Sequence, residues 1–188
     1  MLFETCLVVE GEVQNRSDHN ERVSRSSRAL WDREIILPWE VLEAELPKEG
    51  QTRLRVEYDI TGVIRVDSRP YFQSVMSTIK LFETYLEYPY KFSDRTELES
   101  IFKHRGIAHD VLMVIDGLVA DTTMANVAMF DGKEWLTPCR PLLQGTCRAR
   151  MLRQGLLKEY DISENMIRNA QSVVVMNALR GVQRVNLL

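Results

Sequence analysis

The chain has 188 residues, a formal net charge of −3, 45% hydrophobic residues and 27% charged residues. This composition is that of a globular protein and excludes a collagen-like, low-complexity or disordered chain. The length predicts one domain or two small lobes around a shared core. The negative net charge argues against a protein that binds nucleic acid or anionic lipid through its overall charge.

The cysteines and the apolar segments predict where the protein works. Cys6, Cys139 and Cys147 show no C-x-x-C spacing, and their odd number favours a reducing compartment over a disulfide framework. No structural metal site is predicted from them. The first residues lack a secretory signal, and no segment approaches the roughly 18 apolar residues that cross a membrane. We therefore expect a soluble cytoplasmic protein without a membrane partner.

The N-terminal half of the chain predicts a strand, two helices and a hairpin. Residues 2–9 form an apolar, β-favouring run, and residues 17–31 have a helical pattern with Ser17 as the N-cap. A short helix over residues 38–46 and a hairpin around Thr61-Gly62 follow. One face of the first helix is half polar, which indicates a polar neighbour beneath it.

The C-terminal half of the chain alternates strands with short helices. The predicted elements are a helix over 95–104, strands over 111–115, 125–130 and 135–138, a helix from Gly145, a helix capped by Ser163 and a strand over 172–176. The fold class predicted is α+β with largely antiparallel sheets. We expect a small N-terminal lobe over residues 1–85, built as an α/β sandwich, and a larger, mainly antiparallel lobe over residues 86–188.

Four residues have both a structural and a chemical interpretation. Alone, Lys91 is a surface lysine, Arg22 belongs to a solvated helix face, Asp121 is a turn residue and Gly145 serves the backbone. Together, an arginine and a helix N-terminus hold a phosphate dianion, a lysine forms a Schiff base, and a carboxylate keeps a pyridine nitrogen protonated. These are the requirements of pyridoxal 5′-phosphate (PLP).

Seven short motifs carry a resemblance over nearly the whole chain. They are Phe3-Glu4-Thr5, His19-x-x-Arg22, Lys91-Phe92-Ser93-Asp94-Arg95, Asp121-Thr122-Thr123-Met124-Ala125-Asn126-Val127, Thr137-Pro138, Leu143-Gln144-Gly145-Thr146-Cys147-Arg148 and Asn177-Ala178. In this order they resemble the PLP-dependent class IV aminotransferases of fold-type IV. The K-x-x-x-R and N-A spacings are most similar to those of aminodeoxychorismate lyases.

The resemblance implies a PLP site between the two lobes, with a role for each matching residue. Lys91 would form the Schiff base as an aldimine, Arg22 and the backbone N–H groups of Thr146 and Cys147 would bind the phosphate, Ala178 would close the phosphate cup, Leu143 would pack on the pyridine ring, and Asp121 would meet the ring nitrogen. Arg95 and Asn126 would support these contacts. The resemblance also implies a homodimer.

Three departures from the family pattern bear on the substrate. Related chains have a strand and a Gly-Asp-Gly loop before the F-E-T motif, whereas this chain begins almost at that motif. Asp121 takes the place of the more common glutamate, and Cys147 takes the place of a threonine. We expect an altered substrate entrance, a closer approach of Asp121 to the ring, and loss of a hydroxyl contact to the phosphate.

Four functions are compared. The first is a lyase that converts 4-amino-4-deoxychorismate, a small-molecule amine, into 4-aminobenzoate and pyruvate, a reaction of folate biosynthesis. The second is an aminotransferase of the branched-chain or D-amino-acid type that uses the same lysine. The third is a shortened relative that binds PLP or a phosphate ligand without turnover. The fourth, an arginine-rich nucleic-acid binder, conflicts with the acidic pI.

The remaining candidates keep open interpretations. His104 and His109 lack ligand spacing, which favours helix-end and loop roles over a metal site. The aromatic group of Tyr85, Tyr88 and Tyr90 fits either a substrate entrance or packing between lobes. Arg65, Arg69 and Tyr71 fit either recognition of a substrate carboxylate or an ordinary hairpin surface.

Overall fold

The computed structural model describes residues 1–188, which form twelve strands and five α-helices. The chain forms two compact units. Unit 1 comprises Met1–Gln73 and Tyr90–Asp94, and unit 2 comprises Ser74–Pro89 and Arg95–Leu188. These units divide the chain differently from the predicted lobes: residues 74–85 belong to unit 2, and the segment with Lys91 belongs to unit 1.

Unit 1 contains an antiparallel sheet of four strands in the order β2-β1-β3-β4. The strands are β1 (Leu2–Val9), β2 (Glu12–Val13), β3 (Gln51–Asp59) and β4 (Gly62–Pro70). Alternate residues of β1 point to opposite faces, and Leu2, Glu4, Cys6 and Val8 are buried on one of them. We call this the inner face and the opposite one, with Phe3 and Thr5, the outer face.

Two helices complete unit 1, α1 (Arg16–Trp31) and α2 (Trp39–Ala44). The predicted N-cap of α1 at Ser17 is wrong, because the helix starts one residue earlier and Asn15 is its N-cap with φ of 55°. Asparagine tolerates this left-handed conformation better than most residues. Both helices pack into a core with the inner face of the sheet, where Val23, Trp39 and Tyr58 are almost completely buried.

Unit 2 contains a sheet of eight strands in the order β10-β9-β8-β11-β12-β5-β6-β7. Its strands are β5 (Thr78–Glu83), β6 (Asp110–Ile115), β7 (Leu118–Thr122), β8 (Asn126–Phe130), β9 (Trp135–Pro138), β10 (Lys158–Tyr160), β11 (Ser172–Asn177) and β12 (Gly181–Leu187). The sequence patterns predicted β6, β8, β9 and β11 but not the other four.

The α+β class is confirmed, and the larger sheet is mixed in direction. Strand β5 pairs in parallel with both β12 and β6, and β9 pairs in parallel with β10, whereas the other four pairings are antiparallel. Parallel pairing joins segments that are far apart in sequence, so the sequence contains no short turn motif that predicts it. This is why a mainly antiparallel sheet was predicted.

Three helices belong to unit 2, namely α3 (Thr96–Phe102), α4 (Thr146–Arg153) and α5 (Glu164–Arg168). A 3-10 turn over Lys103–Arg105 extends α3 toward Gly106. The predicted cap of α5 is confirmed, because the Ser163 hydroxyl accepts a hydrogen bond from Met166 N at 3.3 Å. No helix of the chain combines the length and apolar character needed to cross a bilayer.

Candidate functional site

Lys91 lies against the outer face of the unit 1 sheet. Phe3 N donates a hydrogen bond to Lys91 O at 3.0 Å, and Phe92 forms a β-bridge with Leu2, so backbone pairing to β1 fixes this segment. Lys91 Nζ is 4.7 Å from the centre of the Phe3 ring, and the Arg55 guanidinium carbon is 3.6 Å from it. Both contacts are in the range of cation–π attraction.

Arg22, the predicted phosphate ligand, is buried beneath the same strand and bound to Glu4. Its Nε donates to Glu4 Oε1 at 2.8 Å, and its Nη2 donates to Glu4 Oε2. His19 Nδ1 donates to Glu4 Oε2 at 2.6 Å. Glu4 is thus the polar neighbour that the half-polar face of α1 predicted. The ion pair with Glu4 uses Nε and Nη2 of Arg22. A phosphate would therefore approach the guanidinium at Nη1.

The charges in this cluster stabilise each other. Burial raises the pKa of Glu4, but Arg22 and His19 outweigh it and bring that pKa down to about 2. Burial works against the charge of Arg22 as well, yet the Glu4 carboxylate raises the Arg22 pKa above its ordinary value. Cys6 is the third member of a group in which carboxylate, imidazole and thiol atoms lie within 4.8 Å of one another. Because Arg22 already engages both Glu4 oxygens, a cation would have to displace a guanidinium there.

Asp121, the predicted partner of the ring nitrogen, lies near the end of β7. Hydrogen bonds hold both of its carboxylate oxygens in place. Asn126 Nδ2 donates to Oδ1 at 2.8 Å, and Leu143 N donates to Oδ2 at 2.9 Å. Asn126 Nδ2 also donates to Leu143 O at 2.9 Å, which closes a three-residue network. Burial raises the pKa of Asp121 to about 6, although these donors work in the opposite direction. Sequence reasoning had placed Asn126 as a supporting residue, and the structure shows what it supports.

Gly145 is required by a close contact rather than by its backbone conformation. Its φ of −71° is open to any residue. A Cβ atom at this position would lie only 1.9 Å from Asn126 Oδ1, which is far inside van der Waals contact. A side chain here would therefore push Asn126 away from Asp121.

The predicted phosphate-binding residues Thr146 and Cys147 open helix α4, directly after Gly145. Ala149 N donates to Gly145 O, which places Thr146 and Cys147 in the first turn of α4, where backbone N–H groups point out of the helix start. The Cys147 side chain packs into a buried cluster with Ala128 and Met176. Its thiol therefore belongs to the core, and the residue can offer an anion its backbone N–H.

Arg148, which sequence reasoning assigned no role, fixes the position of this helix start. Its side chain is 1% exposed, and Nη2 donates to Pro138 O and Glu159 Oε1, both at 2.7 Å. It also contacts Gln144 Oε1 at 3.2 Å and Thr137 Oγ1 at 3.3 Å. Its position in the motif that contains Gly145 and Cys147 was the available signal.

Ala178 lies in the turn between β11 and β12, and its neighbour Asn177 shapes that turn. Asn177 Oδ1 accepts hydrogen bonds from the N–H groups of Leu179 and Arg180 at 3.0 and 2.8 Å. Its Nδ2 donates to Met124 O at 3.1 Å, in the loop that follows Asp121. Arg95 Nη2 donates to Thr123 O in that loop at 2.8 Å. The Ala178 turn and the Asp121 strand are therefore connected within unit 2.

A cavity of about 310 Å³ adjoins these residues in unit 2. Ala120 and Leu142, which directly precede Asp121 and Leu143, contribute to its lining, together with Tyr88, Leu118 and Arg140. Most of this lining is apolar. The structure thus brings Asp121, Leu143 and the start of α4 together in unit 2. In unit 1, Lys91 contacts β1 at Phe3 on the outer face, and Arg22 contacts β1 at Glu4 on the inner face.

A family model for amino-transferase class IV matches residues 92–188, just over half of the chain. The chain therefore belongs to the class IV aminotransferase family. The members of this family are enzymes that depend on PLP, and PLP is accordingly the cofactor of this one.

Three relatives illustrate the range of the family. A crystal structure from Haemophilus somnus, provisionally assigned as 4-amino-4-deoxychorismate lyase, is 28% identical, covers 96% of each chain and superposes with a TM-score of 0.85. A Schizosaccharomyces pombe protein provisionally assigned as aminodeoxychorismate lyase is 26% identical over 96% of this chain and 87% of its own. A PLP-bound structure of a hypothetical aminotransferase from Mycobacterium tuberculosis shares the fold at 21% identity, with a TM-score of 0.80 over 99% of this chain and 80% of its own.

Proposed function

We propose that the protein is a PLP-dependent lyase that cleaves 4-amino-4-deoxychorismate into 4-aminobenzoate and pyruvate. The observation that carries the PLP chemistry is the buried Asp121 carboxylate, which Asn126 and Leu143 orient without neutralising its charge. The lyase assignment is supported by the relatives from H. somnus and S. pombe, which share the chain over almost its full length.

Each unit carries groups of the kinds that PLP requires, and we assign each a role. Lys91 would bond covalently to the aldehyde carbon, and Asp121 would accept a hydrogen bond from the protonated ring nitrogen. The phosphate would be held by Nη1 of Arg22, the N–H groups of Thr146 and Cys147 and the turn at Ala178, while Leu143 would pack on the ring. When bound, PLP supplies an electron sink that stabilises a carbanion next to the amine nitrogen.

The protein's own groups then have separate tasks. The Lys91 amine would take the proton from the amine-bearing carbon of the substrate. Asp121 is ionised at neutral pH, since its pKa is about 6, and its charge keeps the proton on the ring nitrogen. The hydrogen bonds from Asn126 Nδ2 and Leu143 N keep the carboxylate from rotating while it does so.

The second candidate is a class IV aminotransferase of the branched-chain or D-amino-acid type. The matching family carries that activity in its name. An aminotransferase would use Lys91 and Asp121 in the same way but would return the proton to the cofactor. The two reactions therefore differ in their products rather than in these residues.

We also propose that the enzyme works in the cytoplasm, in folate biosynthesis, as a homodimer. Cys6, Cys139 and Cys147 form no disulfide with one another, which suits a reducing compartment. Phe72 of unit 1 is 86% exposed and Val75 of unit 2 is 71% exposed, and contacts with a second copy of the chain would cover these apolar side chains.

The test is the near-visible absorption spectrum of the purified protein with PLP, followed by borohydride reduction and peptide mapping. We expect a shifted band that bleaches on reduction and leaves a pyridoxyl label on Lys91. Lys91→Ala should abolish the label, whereas Lys80→Ala should retain it. Addition of aminodeoxychorismate or of amino acids then separates the candidates by release of 4-aminobenzoate or pyridoxamine phosphate. A label without either product would indicate binding without turnover.

A further inference from the structure

Strand β7 contains a β-bulge at the position of Asp121. Two pairs of opposite residues on β6 and β7 define it, namely Val114 with Val119 and Leu112 with Thr122. The interval between the pairs is two residues on β6 but three on β7, so Ala120 and Asp121 share one position of the ladder. The function assigned to Asp121 does not explain what holds this extra residue in place.

The bulge determines which face of the sheet carries the Asp121 side chain. Val119 packs with Leu112 in the buried apolar cluster of unit 2. Side chains two residues apart along a regular strand point to the same face, so without the bulge Asp121 would point into this cluster with Val119. With the bulge, its carboxylate reaches Asn126 Nδ2 and Leu143 N instead. A shift of the bulge by one residue would therefore remove the carboxylate from its donors.

The turn that follows Asp121 does not by itself fix the register of β7. Thr122 N donates to Ala125 O at 2.9 Å, and Ala125 N donates back to Thr122 Oγ1 at 3.0 Å. These bonds join residues of the same turn. The turn would therefore move together with the strand if the register changed.

Thr123 connects this turn to the rest of unit 2. Its Oγ1 donates to Asp110 Oδ1 at 2.6 Å, and Val111 N donates to the same oxygen at 2.8 Å. Its carbonyl oxygen accepts a hydrogen bond from Arg95 Nη2 at 2.8 Å. Asp110 is the first residue of β6, two positions before Leu112. The bond between Thr123 and Asp110 thus fixes β7 against its partner strand directly after the bulge.

The Asp110 carboxyl is suited to hold Thr123 strongly. It is completely buried, and 2.6 Å is typical of a hydroxyl that donates to an ionised carboxylate, a stronger bond than one between neutral groups. Burial raises the pKa of Asp110, and the donors of Thr123 and Val111 work in the opposite direction. Asp110 Oδ2 makes no hydrogen bond, so both of these bonds fall on Oδ1.

We propose that Asp110 and Thr123 are positioning residues that fix the bulge of β7 and so hold the Asp121 carboxylate toward the ring nitrogen of PLP. Arg95 supports Thr123 from the start of α3. The direction toward PLP rests on the proposed function. The effect on the hydrogen bonds of Asp121 does not, because these bonds exist without the cofactor.

The first experiment follows the Leu143 amide proton by NMR in the protein without PLP. This N–H donates to Asp121, so its chemical shift should follow the Asp121 titration, with a midpoint of about 6. Thr123→Val and Asp110→Ala remove the bond between these two residues and should largely abolish that step. Thr123→Ser and Asp110→Asn keep a donor and an acceptor and should retain it. Asp116→Asn, in the exposed turn of the same hairpin, should retain it as well.

The matched pair at Thr123 decides the outcome. An unchanged titration step in Thr123→Val would overturn the proposal. An equal loss in Thr123→Ser would overturn it too, because the hydroxyl would then not be the group that matters. If Asp110→Ala does not fold, the pair at Thr123 still decides, since both of its members keep the Asp110 carboxyl.

The second experiment compares the binding of PLP with that of deazapyridoxal phosphate, in which a carbon replaces the ring nitrogen. Thr123→Val should raise the apparent Kd of PLP about tenfold and should not weaken the binding of the analogue, because only PLP offers Asp121 a proton. Thr123→Ser should leave both affinities almost unchanged. Equal losses for the two ligands would overturn the role toward the ring nitrogen. Failure of PLP to label Lys91 would instead contradict the proposed function, and the NMR titration would still test the positioning of Asp121.

Discussion

Glu4 in unit 1 and Asp121 in unit 2 are both carboxylates with 4% exposure or less. Their pKa values nevertheless shift in opposite directions from the ordinary values of these side chains. The pKa of Glu4 falls to about 2, and that of Asp121 rises to about 6. Glu4 is bound by the guanidinium of Arg22 and the imidazole of His19. Asp121 is held by an amide and a backbone N–H, which are neutral.

The difference shows that the charge of the donors, rather than burial or the number of hydrogen bonds, sets the state of a buried acid. Glu4 is neutralised by its partners and serves to hold Arg22 in place. Arg148 lowers the pKa of Asp121, but burial outweighs it, and a buried carboxylate without an ion-pair partner in contact is suited to bind a proton carried by a ligand. The charged donors of Glu4 give it a structural role, and the neutral donors of Asp121 leave its carboxylate available for chemistry.

Of the variants considered, Glu4→Leu should cause the largest loss of stability, because it removes the carboxylate that pairs with Arg22 and His19. It leaves Arg22 and His19 buried without a counter-charge, so we expect a loss of about 3–5 kcal/mol in the free energy of unfolding. Urea denaturation at pH 7 followed by tryptophan fluorescence measures it. Glu34→Leu removes an exposed carboxylate that pairs with Arg28 and should leave the midpoint almost unchanged. Equal midpoints for the two variants would show that the buried pair contributes nothing.

The dependence of stability on pH should sharpen the comparison. The Asp121 pKa is raised in the folded state, so its contribution is fully present below its ordinary value of 3.8 and is lost as pH rises to about 6. The gap corresponds to about 3 kcal/mol. Asp121→Asn should flatten the unfolding profile between pH 4 and 6 in the absence of PLP. Glu4→Gln serves as the control, because it should flatten only the acid limb between about pH 4.5 and 2.

Gly145→Ala tests the neutral network around Asp121 and should have the smallest of these effects. The new methyl group would meet Asn126 Oδ1, and we expect a cost of about 1–3 kcal/mol in stability together with weaker PLP binding. A double-mutant cycle with Asn126→Ala measures the clash, since the methyl group should then cost much less. Additive costs in this cycle would mean that Gly145 is required for another reason.

Local sequence signals predicted the elements whose structure is locally determined. The hairpin of β3 and β4 around Thr61-Gly62 and the Ser163 cap of α5 depend on neighbouring residues, and both are confirmed. Strand β5 was not predicted, because its parallel partners β6 and β12 lie far away in sequence. Such pairing depends on the assembled sheet rather than on any pattern within residues 78–83.

The candidate site shows the same limit. A half-polar face on α1 predicted a buried polar partner, but only the folded register of β1 identifies it as Glu4. The contact of Asn126 with Gly145 joins residues nineteen positions apart, and the motif spacing alone does not reveal it. The roles of Lys91 and Asp121 toward PLP came from resemblance and remain predictions for the labelling experiment.

The place of β12 in its sheet bears on how unit 2 is assembled during translation. Strand β12 stands between β11 and β5, so it joins the block of β8 to β11 to the block of β5 to β7. It is synthesised after every other strand of that sheet. Until Gly181–Leu187 leaves the ribosome, the nascent chain therefore exposes two unpaired strand edges, each able to template aggregation. A premature stop before this strand would make that exposure permanent, and chaperone binding to ribosome-bound chains should fall sharply once it emerges.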